Sequence, residues 1–335
     1  MKQTIRNASD FLFVFEAIQC NPNGDPDQEN KPRMDYDTNT NLVTDTRIKR
    51  YLRDYLKAKS EDEVIFVDME GESKVSVDSK LKAVVKRTIE NMGEVEAAFA
   101  NHPEALKTYK DIIEKEKDPE KVWKAITDKK HKEINVELLA YLIREKFIDI
   151  RMFGSAFAVS GFNKAYTGPI QLNWGYSFNK VEIMDSSSIV TIMNDDSSTF
   201  GKDYRVHYSL LGFNGTINAN AAKTTGLTDE DIKEFRTALW ECIPANPTRS
   251  KLNQYPKLYV EVVYNEGISN GQFGDLRNYV SIKPKNNLEE KQIRKFSDLE
   301  LDVAPLLELL KTNKGADKKV KEVIITTSPD IEISL

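Results

Sequence analysis

Cysteine, histidine and tryptophan are scarce in this 335-residue chain, which holds two, three and three of them. Cys20 and Cys242 are far apart and neither belongs to a Cys-x-x-Cys pair, which excludes a disulfide scaffold and a four-thiolate zinc site. His102 and His131 lie in Lys- and Glu-rich sequence and read as solvated surface; His207 alternates with Tyr208 in strand-like sequence. No apolar run approaches the ~20 residues that span a bilayer. The first residues carry no small-residue cleavage pattern, so export is not expected and a reducing cytoplasm is. A Walker loop, a G-x-G-x-x-G turn, a G-x-S-x-G elbow and an H-E-x-x-H helix are all missing. No residue pair suggests a nucleophile with its base, and neither catalytic residues nor a cofactor are expected.

Two acidic features fall short of a site. Residues 35–39 open like a calcium loop, D-x-D-x-N, but Thr40 takes the glycine position and Thr46 that of the bidentate Glu. Asp25, beside Gly24, is a carboxylate that could hold a metal or activate an RNA 2′-hydroxyl, yet no second carboxylate stands at a supporting spacing. The net charge of −5 argues against indiscriminate nucleic-acid binding over the whole surface. It leaves room for a cationic track on an acidic body.

What the chain does have begins at residues 11–18, FLFVFEAI, a nearly continuous apolar run that predicts a central strand covered on both faces. A polar turn comes next, Asn21-Pro22-Asn23-Gly24-Asp25-Pro26, whose composition favours exposed backbone N–H groups. Then comes an amphipathic helix. Thr44 is its expected N-cap and Asp45 suits the positive end of its dipole. Ile48, Tyr51, Leu52, Tyr55 and Leu56 make one stripe; Lys49, Arg50, Arg53 and Lys57 cluster opposite, free of acids on their arc, with Arg47 and Asp54 at the flank. Turn and helix together can hold a run of phosphates.

Residues 60–146 read as a helical insertion, with helices over 80–92, 104–117 and 136–145 and a ragged hairpin at 61–76. Strand character resumes at 148–153, where Arg151 is either paired internally or aimed outward. An alternating run after Gly168-Pro169 predicts Ile170, Leu172, Trp174, Tyr176 and Phe178 on one face. Residues 181–192 and 206–214 read as strands flanking a polar tip at 194–201, together an extended β-hairpin arm. Thr228 or Asp229 caps a helix to Cys242, a loop at 244–250 precedes a strand at 257–264, a glycine-containing loop comes after it, and the tail adds a helix near 303–310 and a strand near 322–327. The mixture points to α+β with an antiparallel sheet.

An ordered series of short motifs resembles one family. N-P-N-G-D-P at 21–26, K-P-R at 31–33 and L-V-T-D-T-R-I-K-R at 42–50 come first. I-D-I-R-M-F-G at 148–154, T-G-P-I-Q-L-N-W-G at 167–175, F-G-K-D-Y-R-V at 200–206, N-A-N-A-A-K-T-T-G-L-T at 218–228 and T-R-S-K at 248–251 complete it. The series is similar to the Cas-seven backbone subunits of type I CRISPR Cascade complexes, within the RAMP superfamily, nearest the I-B subtype and then I-C. The resemblance implies a modified RRM-like (ferredoxin-like) palm over 1–59 and 147–335, a helical finger insertion over 60–146 and a β-hairpin thumb near 181–206. It also implies a non-enzymatic protein of antiviral defence whose copies assemble head to tail on CRISPR RNA. Its partners would be that RNA, further copies of itself, other Cascade subunits and, through the guide, target DNA; no membrane is involved. The aromatic strand motif of an ordinary RRM is missing.

Gripping any guide requires sugar–phosphate contacts, which carry no sequence information. The expected RNA-binding residues are Asn21, Asn23 and Gly24 with Lys31 and Arg33; Arg47, Lys49, Arg50 and Arg53 as a rail; Arg249 and Lys251 as a second cluster; Arg151; and Phe200 and Arg205 near the thumb tip, where an aromatic wedge unstacks a nucleotide. The alternative is a type III-like backbone ribonuclease that cuts target RNA with an acidic loop residue.

Overall fold

The computed structural model describes residues 3–70, 73–74, 76–89, 91–159, 162–184, 188–191 and 199–333. The chain divides into two compact units, one of Arg6–Tyr55, Ile170–Ala219 and Ile232–Leu335, the other of Met1–Ile5, Leu56–Pro169 and Asn220–Asp231.

The first unit is built on an eight-stranded antiparallel sheet. Its strands are β1 (Ser9–Cys20), β2 (Met34–Asp35), β3 (Thr40–Val43), β4 (Ile170–Leu172), β5 (Gly175–Ser177), β6 (Val206–Ile217), β7 (Gln254–Tyr264) and β8 (Val320–Thr327). The spatial order is β8-β7-β1-β6-β5-β3-β2, with β4 also paired to β6. β1 is central, and every residue from Ser9 to Ala17 is buried, as its unbroken apolar run requires when both faces are covered. One face carries Phe11, Phe13 and Phe15, with Phe11 edge-on to Phe235 at 5.6 Å. The other carries Leu12 and Val14, packed with Leu258, Val260, Leu276, Leu306 and Leu310. Each such side chain contributes roughly 1.5–3 kcal/mol on full burial.

The alternation expected after Gly168 breaks. Ile170 and Leu172 are buried, whereas Trp174 and Tyr176 are 39% and 40% exposed. The register explains it. Leu172 lies opposite Gly215, but Tyr176 lies opposite Gly212, so the four steps from 172 to 176 face only three on β6. One extra residue exchanges the faces of everything beyond it. Gly175 accommodates the shift, because a Cβ there would stand 2.3 Å from the Phe213 ring.

The second unit is mainly helical. Together with the segments that flank it, the chain forms α1 (Asp45–Lys59), α2 (Val77–Ile89), α3 (Met92–Ala98), α4 (Pro103–Lys115), α5 (Pro119–Ile126), α6 (Lys132–Lys146), α7 (Ile148–Phe153), α8 (Ala219–Thr225) and α9 (Asp229–Ala245). Leu81, Val85, Phe99, Tyr109, Leu138 and Leu142 lie in its core. The hairpin in 61–76 is Met69–Glu70 against Ser73–Lys74.

Residues 148–153 correct a sequence expectation: they form α7, not a strand. The Arg151 amide bonds to Phe147 O at 3.2 Å, and buried Asp149 accepts from the amides of Phe66 and Val67 at 2.8 and 3.0 Å. A six-residue apolar run carries no period long enough to separate strand from helix. In the 181–206 region, Ser188–Thr191 pairs with Thr199–Lys202, and Ile183 bridges Val206. Residues 181–184 are not themselves a strand, and most of the expected polar tip lies outside the described residues. Among the described residues no helix is long and apolar enough to cross a membrane.

Candidate functional site

β1 ends at Cys20, and the turn beyond it acts as a brace. The Asn21 amide donates to Ser250 O at 2.8 Å and its Nδ2 to Asn30 O at 2.8 Å. Asn23 Oδ1 accepts from both the amide and the hydroxyl of Thr44, at 2.8 and 2.9 Å. Thr44 Oγ1 in turn accepts from the Arg47 amide at 3.3 Å, so it caps α1 as its residue type predicts. A Cβ at Gly24 would stand 1.9 Å from Asn30 Oδ1 and 3.0 Å from Asn30 O, so a larger residue displaces the Asn30 side chain from the turn. The expectation of presented amides is therefore corrected at Asn21, which is buried with its N–H spent on shape.

Cations gather around this brace. Lys251 Nζ donates to Asn21 O. Arg205 donates to Gln19 O at 3.0 Å and Arg249 O at 3.2 Å, and grips Asp203 with Nε and Nη2 at 3.0 and 2.8 Å. Arg249 reaches the same Asp203 at 3.3 Å. Arg33 pairs with Asp25 at 3.2 Å and lies over Trp174; Lys31 lies over the Tyr204 ring, 5.0 Å from its centre. Arg47 stacks on Tyr51 at 4.2 Å.

The charges do not balance. Asp203 serves two arginines and Asp25 serves Arg33, but among the described residues no carboxylate lies within 4.0 Å of Arg47 or Lys251. Burial, with Arg47 nearby, lowers the Lys251 ammonium to about 8. Burial pushes the Cys20 thiol up to about 12 despite that cation. Here Arg33 Nε, Arg47 Nε and Tyr51 Oη are buried with no acceptor, and Asn21 Oδ1 is buried with no donor.

The other expected residues fall elsewhere. The stripe of α1 is buried throughout, but its cationic arc is not free of acids. Lys49 pairs with Asp45 at 3.0 Å, Arg50 with Asp54 at 2.6 Å and Lys57 with Asp68 at 2.5 Å, and Arg53 is also engaged. Arg151 takes the internal alternative. It forks onto Asp231 at 2.9 and 2.8 Å and donates to the carbonyls of Arg144 and Glu145, within the helical unit. Arg205 sits at the root of the arm, not its tip. Phe200 pairs with Val190 in the arm, and its ring lies outside the described residues. Asp25 is occupied by Arg33 and by the Asp27 amide at 3.2 Å.

Sequence reasoning missed Asn30, Thr44, Asp203 and Tyr204 as parts of the site. The D-Y pair immediately before Arg205 was the available signal, an acid and a phenol two and one residues from a candidate cation.

The chain has relatives among known proteins. Residues 7–304 match the family model described as CRISPR-associated protein Cas7. A CRISPR-associated protein Cas7 of Haloferax volcanii is 30% identical over 319 residues, covering 92% of this chain and 84% of that one. One solved chain, from a CRISPR RNA-guided surveillance complex in a pre-nicking state, aligns with a TM-score of 0.46 at 12% identity over 77% of this chain and 79% of its own. Another, from a CRISPR RNA-guided surveillance complex, gives 0.36 at 12% identity over 79% and 72%.

Proposed function

Because the chain belongs to the Cas7 family of CRISPR-associated proteins, we propose that it is a non-enzymatic backbone subunit of a type I Cascade complex, nearest the I-B subtype. In this reading copies polymerise head to tail along CRISPR RNA in the cytoplasm, beside other Cascade subunits, and present guide segments for pairing with target DNA. The sheet unit then corresponds to an RRM-like palm, the helical unit to the finger and the hairpin at 188–202 to the thumb. Head-to-tail growth uses two different complementary surfaces per copy, a contact that does not close.

The observation that carries the proposal is the pair Arg47 and Lys251 at the end of β1, neither of which has a carboxylate partner among the described residues. A phosphodiester supplies negative charge to such a pair, and it does so for any base. Lys31, Arg33, Arg205 and Arg249 extend the grip on either side, with Asn21, Asn23 and Gly24 holding its shape. Lys49 and Arg50 continue it along α1 by exchanging their acid partners for phosphates, with Arg53 beyond them.

Single-stranded RNA binding measured against salt tests this. The logarithm of the association constant falls by about 0.7 per neutralised phosphate per decade of salt. Arg47→Ala and Lys251→Ala each flatten the slope; an unchanged slope in both removes the site from the interface. A type III-like ribonuclease built on Asp25 would cut complementary RNA at regular intervals with Mg²⁺. With Asp25 occupied by Arg33, intact RNA is the expected product.

A further inference from the structure

We propose that Trp174 is a stacking platform for a nucleobase of the single-stranded RNA whose phosphates occupy the Arg47–Lys251 site. The inference rests on the phosphate-binding reading of that site. It starts from a departure from the expected pattern. Simple alternation would place Trp174 and Tyr176 with buried Ile170 and Leu172, and the extra residue in the register turns them out instead. Exposing two large aromatics forgoes burial that the sheet could have had. Such local violations of the folding pattern mark sites of use.

The backbone under the ring is held, although the ring is open. The Trp174 amide donates to Asn173 Oδ1 at 2.8 Å, and its carbonyl accepts from Arg277 Nη1 at 2.9 Å. The Asn173 amide bonds to Asn214 O on β6 at 3.0 Å. Arg277 is itself clamped to Asp275 and lies 4.6 Å from the centre of the Tyr176 ring. A base meeting Trp174 therefore does not have to order the loop that carries it.

Its position and charge select the partner. Arg33 lies over the Trp174 ring at 5.9 Å and belongs to the brace, since its amide donates to Asn23 O at 3.0 Å. Gly175 pairs with Val43, the residue before the Thr44 cap of α1. The ring is thus continuous with the phosphate site through Arg33 on one side and β3 on the other. An aromatic ring with a guanidinium over one face, adjoining a cationic groove, offers its other face to a polynucleotide, whose bases and phosphates alternate along one chain. Because every base has a π-face, the platform costs the site none of its indifference to sequence.

The test compares the full-length wild type, Trp174→Ala and Trp174→Phe on single-stranded RNA of mixed sequence and on abasic RNA of equal length, across a salt series. Trp174→Ala weakens binding to mixed-sequence RNA by about 5- to 150-fold at every salt, with the salt slope unchanged. Trp174→Phe retains most of the affinity, and on abasic RNA wild type and Trp174→Ala bind alike. Equal binding of mixed-sequence RNA by wild type and Trp174→Ala overturns the platform, as does an equal loss on abasic RNA. Loss of self-association with RNA affinity intact also overturns it and assigns the ring to a second copy of the chain. A wild type that binds neither RNA overturns the phosphate reading, and this inference with it.

Discussion

Proton-linked RNA binding is the sharpest consequence of the proposed phosphate site. Lys251 has an ordinary pKa of 10.5, and burial next to Arg47 holds it at about 8 in the free protein. A phosphate restores the missing charge and returns the ammonium toward its ordinary range. The complex then keeps a proton that the free protein loses, so affinity falls as pH rises above 8. Full return to 10.5 corresponds to a loss of about 30-fold by pH 9.5 and about 300-fold on the plateau above 10.5, at most tenfold per pH unit. The assay is anisotropy titration at constant ionic strength from pH 7 to 9.5, with RNA of adenine and cytosine only so that no base titrates there. Lys251→Met binds more weakly at pH 7 and shows no such fall. Stability carries the opposite sign. Below pH 8 the lysine is charged in both folded and unfolded states, and its burial costs the fold about 3 kcal/mol. Between 8 and 10.5 the unfolded chain holds a proton that the folded chain has released, so wild type gains stability relative to Lys251→Met as pH rises. Urea unfolding at pH 7 and 10 measures that gain. Flat RNA affinity from pH 7 to 9.5, together with an unfolding difference that does not change with pH, would refute the reasoning.

Three further outcomes are set by the packing. Gly175→Ala forces a methyl into the Phe213 ring and costs about 1–3 kcal/mol in denaturant unfolding, recovered in part by Phe213→Leu. Asp231→Ala strips half-buried Arg151 of its carboxylate and the Thr228 cap of its acceptor; a loss of about 3 kcal/mol is expected, with hydrogen exchange in α9 rising first at its N-terminus. Cys20 and Cys242 are buried, with Cys20 pushed up to about 12, so at pH 8 neither reacts with iodoacetamide until the chain is unfolded in urea.

The elements with long, consistent patterns were legible from the chain. β1 was plain because nine buried residues in a row leave no other assignment. The stripe and cap of α1 came from helical spacing and the Thr44 side chain. The mixed α+β class with its antiparallel sheet was legible too, since strand–helix–strand and hairpin units are mixed along the chain. What failed was local. α7 was too short to show a period, and the face exchange at Trp174 depends on one unpaired residue that no alternation rule reports. The cationic arc of α1 looked bare because Asp45 had been assigned to the helix dipole; its side chain instead reaches Lys49 one turn on. Lys251 stood out only as one of a surface pair, and its burial comes from loops that meet far apart in sequence, at Asn21 and Ser250.

Asn23 closes the N-terminus of α1 from outside by engaging both polar groups of Thr44. A helix start left open would offer an anion a fixed dipole, indifferent to acidity and nearly so to electrolyte. Here Asn23 takes the Thr44 groups, and the positive charge at this end of the sheet rests on side-chain cations on movable stems. An anion held by such stems would loosen and tighten with its ionic surroundings.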